Sequence, residues 1–214
     1  MADPSVTPLP GTAPTAAALA STVPASTVPA STVPASTVPA STVPASTVLA
    51  TVVDTPIGPL SLLTHGGQLI AGGFTAQPAM MHARLAPTLR TLPLEPASPA
   101  ELPWLAKPVA AYFDGDLQAL DEIPVCQPGT PSRQRLWAAL RAVPPGATVS
   151  YTQLAAQAGN PRAPRAAGAA CAYNLIAPVV PCHRALRTDG SLGGYYYGLD
   201  RKTWLLRHEG ARPS

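Results

Sequence analysis

The segment TPSRQRLWAALRAVPPGATVSYTQLAAQAGNPRAPR, from Thr130 to Arg165, contains the start and stop signals of three helices. Thr130 followed by Pro131 is a typical N-cap with proline in the first helical position. Apolar residues then recur at helical spacing as far as Val143, and Pro-Pro-Gly ends the pattern. The first helix is therefore predicted to begin at Pro131.

Two shorter helices follow in the same segment. Ser150 and Gln153 form a capping box, which predicts a helix that ends at Gly159. A Gly-Asn-Pro turn then opens a basic helix with Arg162 and Arg165. Two short helices joined by a tight turn, the second one basic, are typical of a helix-turn-helix, although many soluble helix pairs share this spacing.

Pro164 lies directly before Arg165 in the third helix. Proline lacks a backbone N–H and pushes the residue before it towards extended geometry. We therefore expect this helix to begin late, which would change how Arg165 is presented.

Charge is distributed unevenly along the chain. Residues 1–125 contain three basic and eight acidic residues, a net charge of −5, whereas residues 126–214 have a net charge of +8. Such a difference fits a phosphate-binding domain beside an acidic one, but a solvated basic face would produce it equally well.

Residues 1–48 are predicted to be a disordered low-complexity tail. STVPA occurs five times from Ser21 and is followed by STVLA, and Asp3 is the only charged residue among the first 50. Regular prolines break helices and strands, and a repeat with Val as its only large side chain buries too little to offset the entropy of ordering. The remaining roughly 165 residues suffice for a sizeable core.

Residues 49–125 are predicted to form a small domain with an antiparallel sheet. Two stretches rich in β-formers, 51–63 and 68–74, are separated by Gly-Gly and indicate a hairpin or meander. Apolar spacing predicts helices at 79–89 and 104–113.

The composition also excludes several classes of protein. No apolar run reaches the ~18 residues of a membrane helix, and no lysine or arginine precedes Arg84, whereas a signal peptide requires a basic n-region. Cys126, Cys171 and Cys182 are odd in number and lack CxxC spacing, which argues against a disulfide framework and a zinc site. We expect a cytoplasmic protein with free thiols and no membrane contact.

The sequence VVPCHR, residues 179–184, carries the clearest chemical signal. Its apolar residues predict a buried strand leading to Cys182. A free cysteine usually serves as a small buried hydrophobe, but a neighbouring imidazole increases the thiolate fraction. Since adjacent residues of an extended chain point to opposite faces, His183 needs a turn or a water to reach the sulfur. Glu209 and Asp189 are the nearest acidic candidates to orient its imidazole.

Longer stretches resemble the family of methylated-DNA–protein-cysteine methyltransferases, which repair 6-O-methylguanine in DNA. The resemblance is carried, in order, by YFDGDL from Tyr112, GTP from Gly129, PG from Pro145, SY from Ser150, GNP from Gly159, RAAG from Arg165, NLIAPVVPCHR from Asn174, DGSLGGY from Asp189 and LLRHEG from Leu205. It implies an α+β fold with a ribonuclease H-like domain at 49–125. A mostly helical domain at 126–212 would contain a winged-helix-like helix-turn-helix.

The resemblance also implies roles for individual residues. Cys182 would accept the alkyl group from guanine O6 in a single turnover, with His183 as base through a water and Glu209 orienting it. Tyr151 would protonate or hydrogen-bond the guanine ring nitrogen, and Asn174 would hold the backbone of the active-site turn. No cofactor and no metal are implied.

The implied partner is double-stranded DNA with an alkylated guanine, or with 4-O-alkylthymine, bound through the minor groove with the base flipped out. Arg165 would fill the place of the flipped nucleotide, Arg162 would contact DNA, and Tyr195 would line the base pocket. Cys126 and Cys171 are expected to serve in packing only. We expect a monomer.

Three other functions remain open. A non-enzymatic alkyltransferase-like protein would bind and flag alkylated bases, but such relatives lack the acceptor cysteine. A cysteine hydrolase using Cys182 and His183 would turn over repeatedly and would leave the positive charge unexplained. A structural zinc domain would need the three cysteines and a histidine to converge, which their spacing does not suggest.

Overall fold

The structure, a computed structural model, describes residues 46–211. Most of the predicted tail therefore lies outside the described residues. Val48, the last residue of the predicted tail, is the first residue of a strand and is fully buried.

A four-stranded sheet forms the first part of the fold. Its strands are β1 (Val48–Val53), β2 (Leu60–His65), β3 (Gln68–Gly73) and β4 (Leu94–Pro96), in the order β3-β2-β1-β4. The first three are antiparallel neighbours, which confirms the predicted meander. The parallel pairing of β4 with β1 was not predicted.

The helix predicted at 79–89 is wrong as a single element. Two short helices occupy this stretch, α1 (Pro78–His82) and α2 (Pro87–Arg90). Ala86 has an extended backbone because it precedes Pro87, and this interrupts the helix. The next predicted helix is confirmed as α3 (Pro103–Phe113), which buries Leu105, Val109 and Tyr112.

The three helices predicted from the opening segment are all present, as α4 (Pro131–Arg141), α5 (Tyr151–Gln157) and α6 (Pro164–Ala172). The Thr130 hydroxyl caps α4, and the predicted capping box opens α5. The late start expected for α6 is confirmed: the helix begins at Pro164 rather than at the Gly-Asn-Pro turn, with the proline in its first position, where a helix needs no N–H donor. Arg162 therefore lies in the turn before α6 and not in the helix. Arg165 is helical.

The remaining elements are β5 (Val149–Ser150), a 3₁₀ turn (Cys182–Arg184), β6 (Ala185–Leu186) and α7 (Leu199–His208); β5 and β6 pair in parallel. The strand predicted before Cys182 is wrong, since Val179 and Val180 are buried in a turn. The backbone just upstream is attached to the four-stranded sheet instead. Gly72 of β3 donates to the Leu175 carbonyl at 2.7 Å and accepts from the Ala177 amide at 3.0 Å.

The main buried core joins the sheet to the helices. It contains, among others, Leu62 from β2, Leu105 from α3, Leu140 from α4, Leu154 from α5 and Leu205 from α7. The predicted mixed α+β class is thus confirmed. Among the helices of residues 46–211, none combines the length and apolar character needed to cross a membrane.

Candidate functional site

A cavity of about 270 Å³ contains the side chain of Cys182 in its wall. Four residues selected from the sequence lie together here: Tyr151, Asn174, Cys182 and Tyr195. Tyr196, Tyr197 and Cys171 complete much of the wall, together with Gly168, Ala172 and Gly194. The cavity therefore joins α5, α6, the 3₁₀ turn and the loop before α7.

Cys182 and His183 are consecutive residues of a 3₁₀ turn rather than of a strand. Cys182 opens this turn and its amide donates to the Val180 carbonyl at 2.8 Å. The turn replaces the extended geometry that would have sent the two side chains to opposite faces. The Asn174 side-chain amide donates to the Cys182 sulfur at 3.2 Å and to the Val180 carbonyl at 2.7 Å.

Burial governs the state of the Cys182 thiol. The residue is 7% exposed, and burial raises its pKa above the ordinary value. The hydrogen bond from Asn174 and the positive charge of Lys202 oppose this rise without reversing it. The thiol is consequently protonated at neutral pH, and its use as a nucleophile requires a base.

His183 has the properties of such a base. It is fully buried, and burial lowers its pKa, so the imidazole is neutral. Its Nε2 lies 2.9 Å from Oε1 of Glu209, and an ionised carboxylate only accepts; Nε2 therefore carries the hydrogen. Nδ1, which has no hydrogen-bond partner within residues 46–211, is left to accept a proton.

The structure selects Glu209 rather than Asp189 as the partner of His183. Asp189 accepts hydrogen bonds from the amide and hydroxyl of Ser191 in an exposed turn. Burial would raise the pKa of Glu209, but hydrogen bonds from His183 and Arg184, together with the Arg184 positive charge, hold it well below the usual range. Arg184 binds both carboxylate oxygens, each at 2.9 Å.

Two tyrosines place hydroxyl groups at the cavity. Burial, followed by the nearby thiols, raises the pKa of Tyr151 to about 12, so this hydroxyl remains a donor. It packs against Gly193, where a Cβ would lie 2.9 Å from the phenol oxygen. The Tyr195 hydroxyl is buried and has no hydrogen-bond partner within residues 46–211.

Arg162 and Arg165 lie outside the cavity wall, both exposed. Arg165 is in the first turn of α6, whereas Gly168, Cys171 and Ala172 of the same helix line the cavity. One helix therefore presents a cation to solvent and closes the cavity with its later turns.

Several contacts were not anticipated from the sequence. Lys202 is fully buried in α7, and its ammonium group donates to the carbonyls of Ala185, at 2.7 Å, and Leu192. In the sequence, the only sign of this burial is that Lys202 lies on the same apolar face of the helix as Leu205. Cys126 and Cys171 were both expected to serve in packing only. This is wrong for Cys126, which is exposed, and incomplete for Cys171, which also lines the cavity.

Known proteins resemble this chain in sequence. Residues 131–211 match the family model described as the 6-O-methylguanine DNA methyltransferase DNA-binding domain. The methylated-DNA–protein-cysteine methyltransferase of Salmonella typhimurium is 50% identical over 106 residues, which cover 50% of this chain and 62% of the relative. The one of Mycobacterium bovis is 37% identical over 169 residues, covering 75% of this chain and 91% of the relative.

The fold is also found in a solved structure. The crystal structure of Mycobacterium tuberculosis OGT in complex with DNA aligns with a TM-score of 0.61 and 33% identity. The alignment covers 78% of this chain and 96% of that protein.

Proposed function

Because the chain belongs to the methylated-DNA–protein-cysteine methyltransferase family, we propose that it repairs DNA by moving the alkyl group of 6-O-alkylguanine onto its own Cys182. The observation that carries this proposal is the buried Cys182 thiol in a cavity wall, followed in the same turn by a neutral His183 paired with Glu209. 4-O-alkylthymine is a further candidate substrate of the same chemistry.

In the proposed step, the Cys182 sulfur attacks the alkyl carbon and forms an S–C bond. The bond from this carbon to the guanine oxygen breaks, and its electron pair moves into the base. The thiol proton passes through a water to Nδ1 of His183, while the Tyr151 hydroxyl donates to the guanine ring nitrogen. A thioether is not readily hydrolysed, so each molecule reacts once. The step uses only side chains, a water and the alkylated base, and it needs no cofactor.

DNA recognition completes the proposal. The guanine O6 is unreachable inside a duplex, so the nucleotide must be flipped into the cavity. The exposed position of Arg165 at the start of α6 supports its insertion into the vacated place, and exposed Arg162 supports a phosphate contact. We expect α5 and α6 to act as a winged-helix-like helix-turn-helix in the minor groove, with Tyr195 against the flipped base.

The other parts of the sequence-based prediction belong to the same proposal. They are the division into a ribonuclease H-like domain at 49–125 and a DNA-binding domain at 126–212, a monomeric state and a cytoplasmic location. Size-exclusion chromatography with light scattering tests the monomer.

The decisive experiment is the intact mass of the protein after incubation with a duplex containing one 6-O-methylguanine. We expect a gain of one methyl group in place of the thiol proton, located on the Cys182 peptide. The Cys182→Ala variant should bind the duplex without gaining mass, and Cys126→Ala, which removes an exposed thiol, should react like the wild type.

The other outcomes separate the alternatives. Tight binding by the wild type without an adduct would indicate a protein that flags alkylated bases. Repeated turnover without an adduct would indicate a hydrolase. An adduct on Cys182→Ala would overturn the assignment of the acceptor.

A further inference from the structure

The Glu209 carboxylate receives hydrogen bonds from three side chains. Its Oε1 is 2.9 Å from Nε2 of His183, 2.8 Å from the Tyr112 hydroxyl and 2.9 Å from Nη2 of Arg184. Its Oε2 accepts from Nε of Arg184 at 2.9 Å. Tyr112 and His183 therefore share one oxygen, although Tyr112 belongs to α3, far from the cavity wall in sequence.

We infer that Tyr112 is a positioning residue, whose hydroxyl fixes Oε1 of Glu209 and thereby sets the orientation and basicity of His183. The inference rests on the proposed transfer to Cys182. Tyr112 is not among the residues that line the cavity, so it acts only through Glu209.

The Tyr112 hydroxyl is held in place from several sides. Its ring is fully buried and makes edge-on contacts with Phe113 and His208, each with ring centres 5.1 Å apart. The backbone carbonyl of Tyr112 binds Nε2 of His208 at 2.7 Å. Burial, together with the Glu209 charge, raises the Tyr112 pKa far above its ordinary value, so the hydroxyl is always available as a donor.

The charged and titratable groups around this pair predict the direction of the effect. Arg184, next to His183 in the 3₁₀ turn, and Lys202 from α7 disfavour the imidazolium, whereas Glu209 favours it. The Tyr112 hydroxyl attenuates the Glu209 charge that His183 experiences. Without this hydroxyl, the carboxylate attracts the His183 proton more strongly, and the His183 pKa rises.

The test compares single-turnover methyl transfer in the wild type, Tyr112→Phe and a control, across pH. The control is Ser61→Ala, which also removes one buried hydroxyl donor. Ser61 of β2 is fully buried, and its hydroxyl donates to the Thr75 carbonyl, just beyond β3, at 2.6 Å. We expect Tyr112→Phe to slow transfer about tenfold near neutral pH, a part of what a positioned base contributes. The acid limb of its pH–rate profile should move to higher pH, while Ser61→Ala should retain the wild-type pH–rate profile.

A second measurement separates this inference from the proposed function. The His183 imidazole titration, followed by NMR without DNA, should shift upward in Tyr112→Phe. 3-Fluorotyrosine at position 112 keeps the size of the ring but donates more strongly, and should shift the titration and the acid limb downward. This variant retains the packing even if Tyr112→Phe fails to fold.

Each result decides one question. Unchanged His183 titration and pH profiles in the Tyr112 variants, with or without a loss of thermal stability, would reduce Tyr112 to a packing residue. A wild type that makes no adduct would overturn the proposed function, while the NMR titration would still test the link between Tyr112 and His183.

Discussion

The side-chain amide of Asn174 donates at once to the sulfur of Cys182, at 3.2 Å, and to the carbonyl of Val180, at 2.7 Å. Its own oxygen accepts from the Ile176 amide at 3.0 Å. One buried side chain thus links the end of α6 to the turn that carries the thiol. Asn174 both holds this turn, as the family resemblance implies, and lowers the pKa of the thiol against the effect of burial.

Asn174→Ala should therefore raise the Cys182 pKa further. The loss of one hydrogen bond of about 1 kcal/mol corresponds to a several-fold slower reaction at neutral pH. The rate of Cys182 alkylation by iodoacetamide, measured against pH without DNA, should show a midpoint at higher pH than in the wild type. An identical midpoint would contradict the role of Asn174 at the sulfur.

Gly193→Ala should slow methyl transfer by displacing the Tyr151 hydroxyl. Gly193 has a φ of +62°, and an added Cβ would lie 2.9 Å from that hydroxyl. Gly66→Ala is a matched control, because Gly66 has a φ of +56° and nothing lies within 4 Å of its Cβ position. Both variants should lose about 1 kcal/mol of stability from backbone strain. Only Gly193→Ala should also lose transfer rate, and equal rates in the two variants would argue against the role of Tyr151.

Lys202→Met should become more destabilising, relative to the wild type, as pH rises. Burial lowers the Lys202 pKa from 10.5 to about 8, so above pH 8 the folded protein releases a proton that the unfolded chain still binds. The contribution of Lys202 to the free energy of unfolding therefore increases between about pH 8 and pH 10.5, by an amount on the order of 3 kcal/mol.

Urea unfolding of both proteins across this pH range measures the difference. Lys107→Met removes a positive charge from an exposed position of α3 and controls for charge alone. If the free energies of unfolding of the wild type and Lys202→Met differ by a constant amount from pH 8 to pH 10.5, the expected lowering of the Lys202 pKa is wrong.

The two exposed arginines near α6, Arg162 and Arg165, should show different effects when each is replaced by alanine. Arg162→Ala should weaken binding to all duplexes and reduce the salt dependence of binding by about one counterion, as a phosphate contact does. Arg165→Ala should slow transfer from a duplex much more than transfer from a single-stranded oligonucleotide, because only the duplex requires a flipped base. Equal slowing with both substrates would exclude a role for Arg165 in flipping.

Much of the fold was predictable because its signals are local. The Thr130 cap, the Ser150–Gln153 capping box and the Gly-Gly turn between β2 and β3 each involve residues within a few positions of one another. The strand predicted before Cys182 failed because a distant contact overrides local preference. Val179 and Val180 favour a strand, but the backbone at Leu175–Ala177 is hydrogen-bonded to Gly72 of β3. The chain then turns towards Cys182 in the cavity wall.

The candidate site shows the same division. The Pro-Cys-His-Arg sequence identified the thiol and its neighbouring imidazole, because reactive residue types adjacent in the chain are visible without a structure. It did not reveal Lys202, whose buried ammonium group donates hydrogen bonds to carbonyl groups of β6 and of the following loop.

The sequence by itself thus determined where α4 and α5 begin, which cysteine is proposed as the nucleophile and which part of the chain is basic. Only the tertiary structure decided which carboxylate meets His183 and what holds that carboxylate. His183 and Glu209 are 26 positions apart, and Tyr112 and Glu209 are 97 apart. Hydrogen bonds over such separations form only once the core has brought α3, the 3₁₀ turn and the end of α7 together, and the burial that shifts the pKa values of these groups arises in the same step.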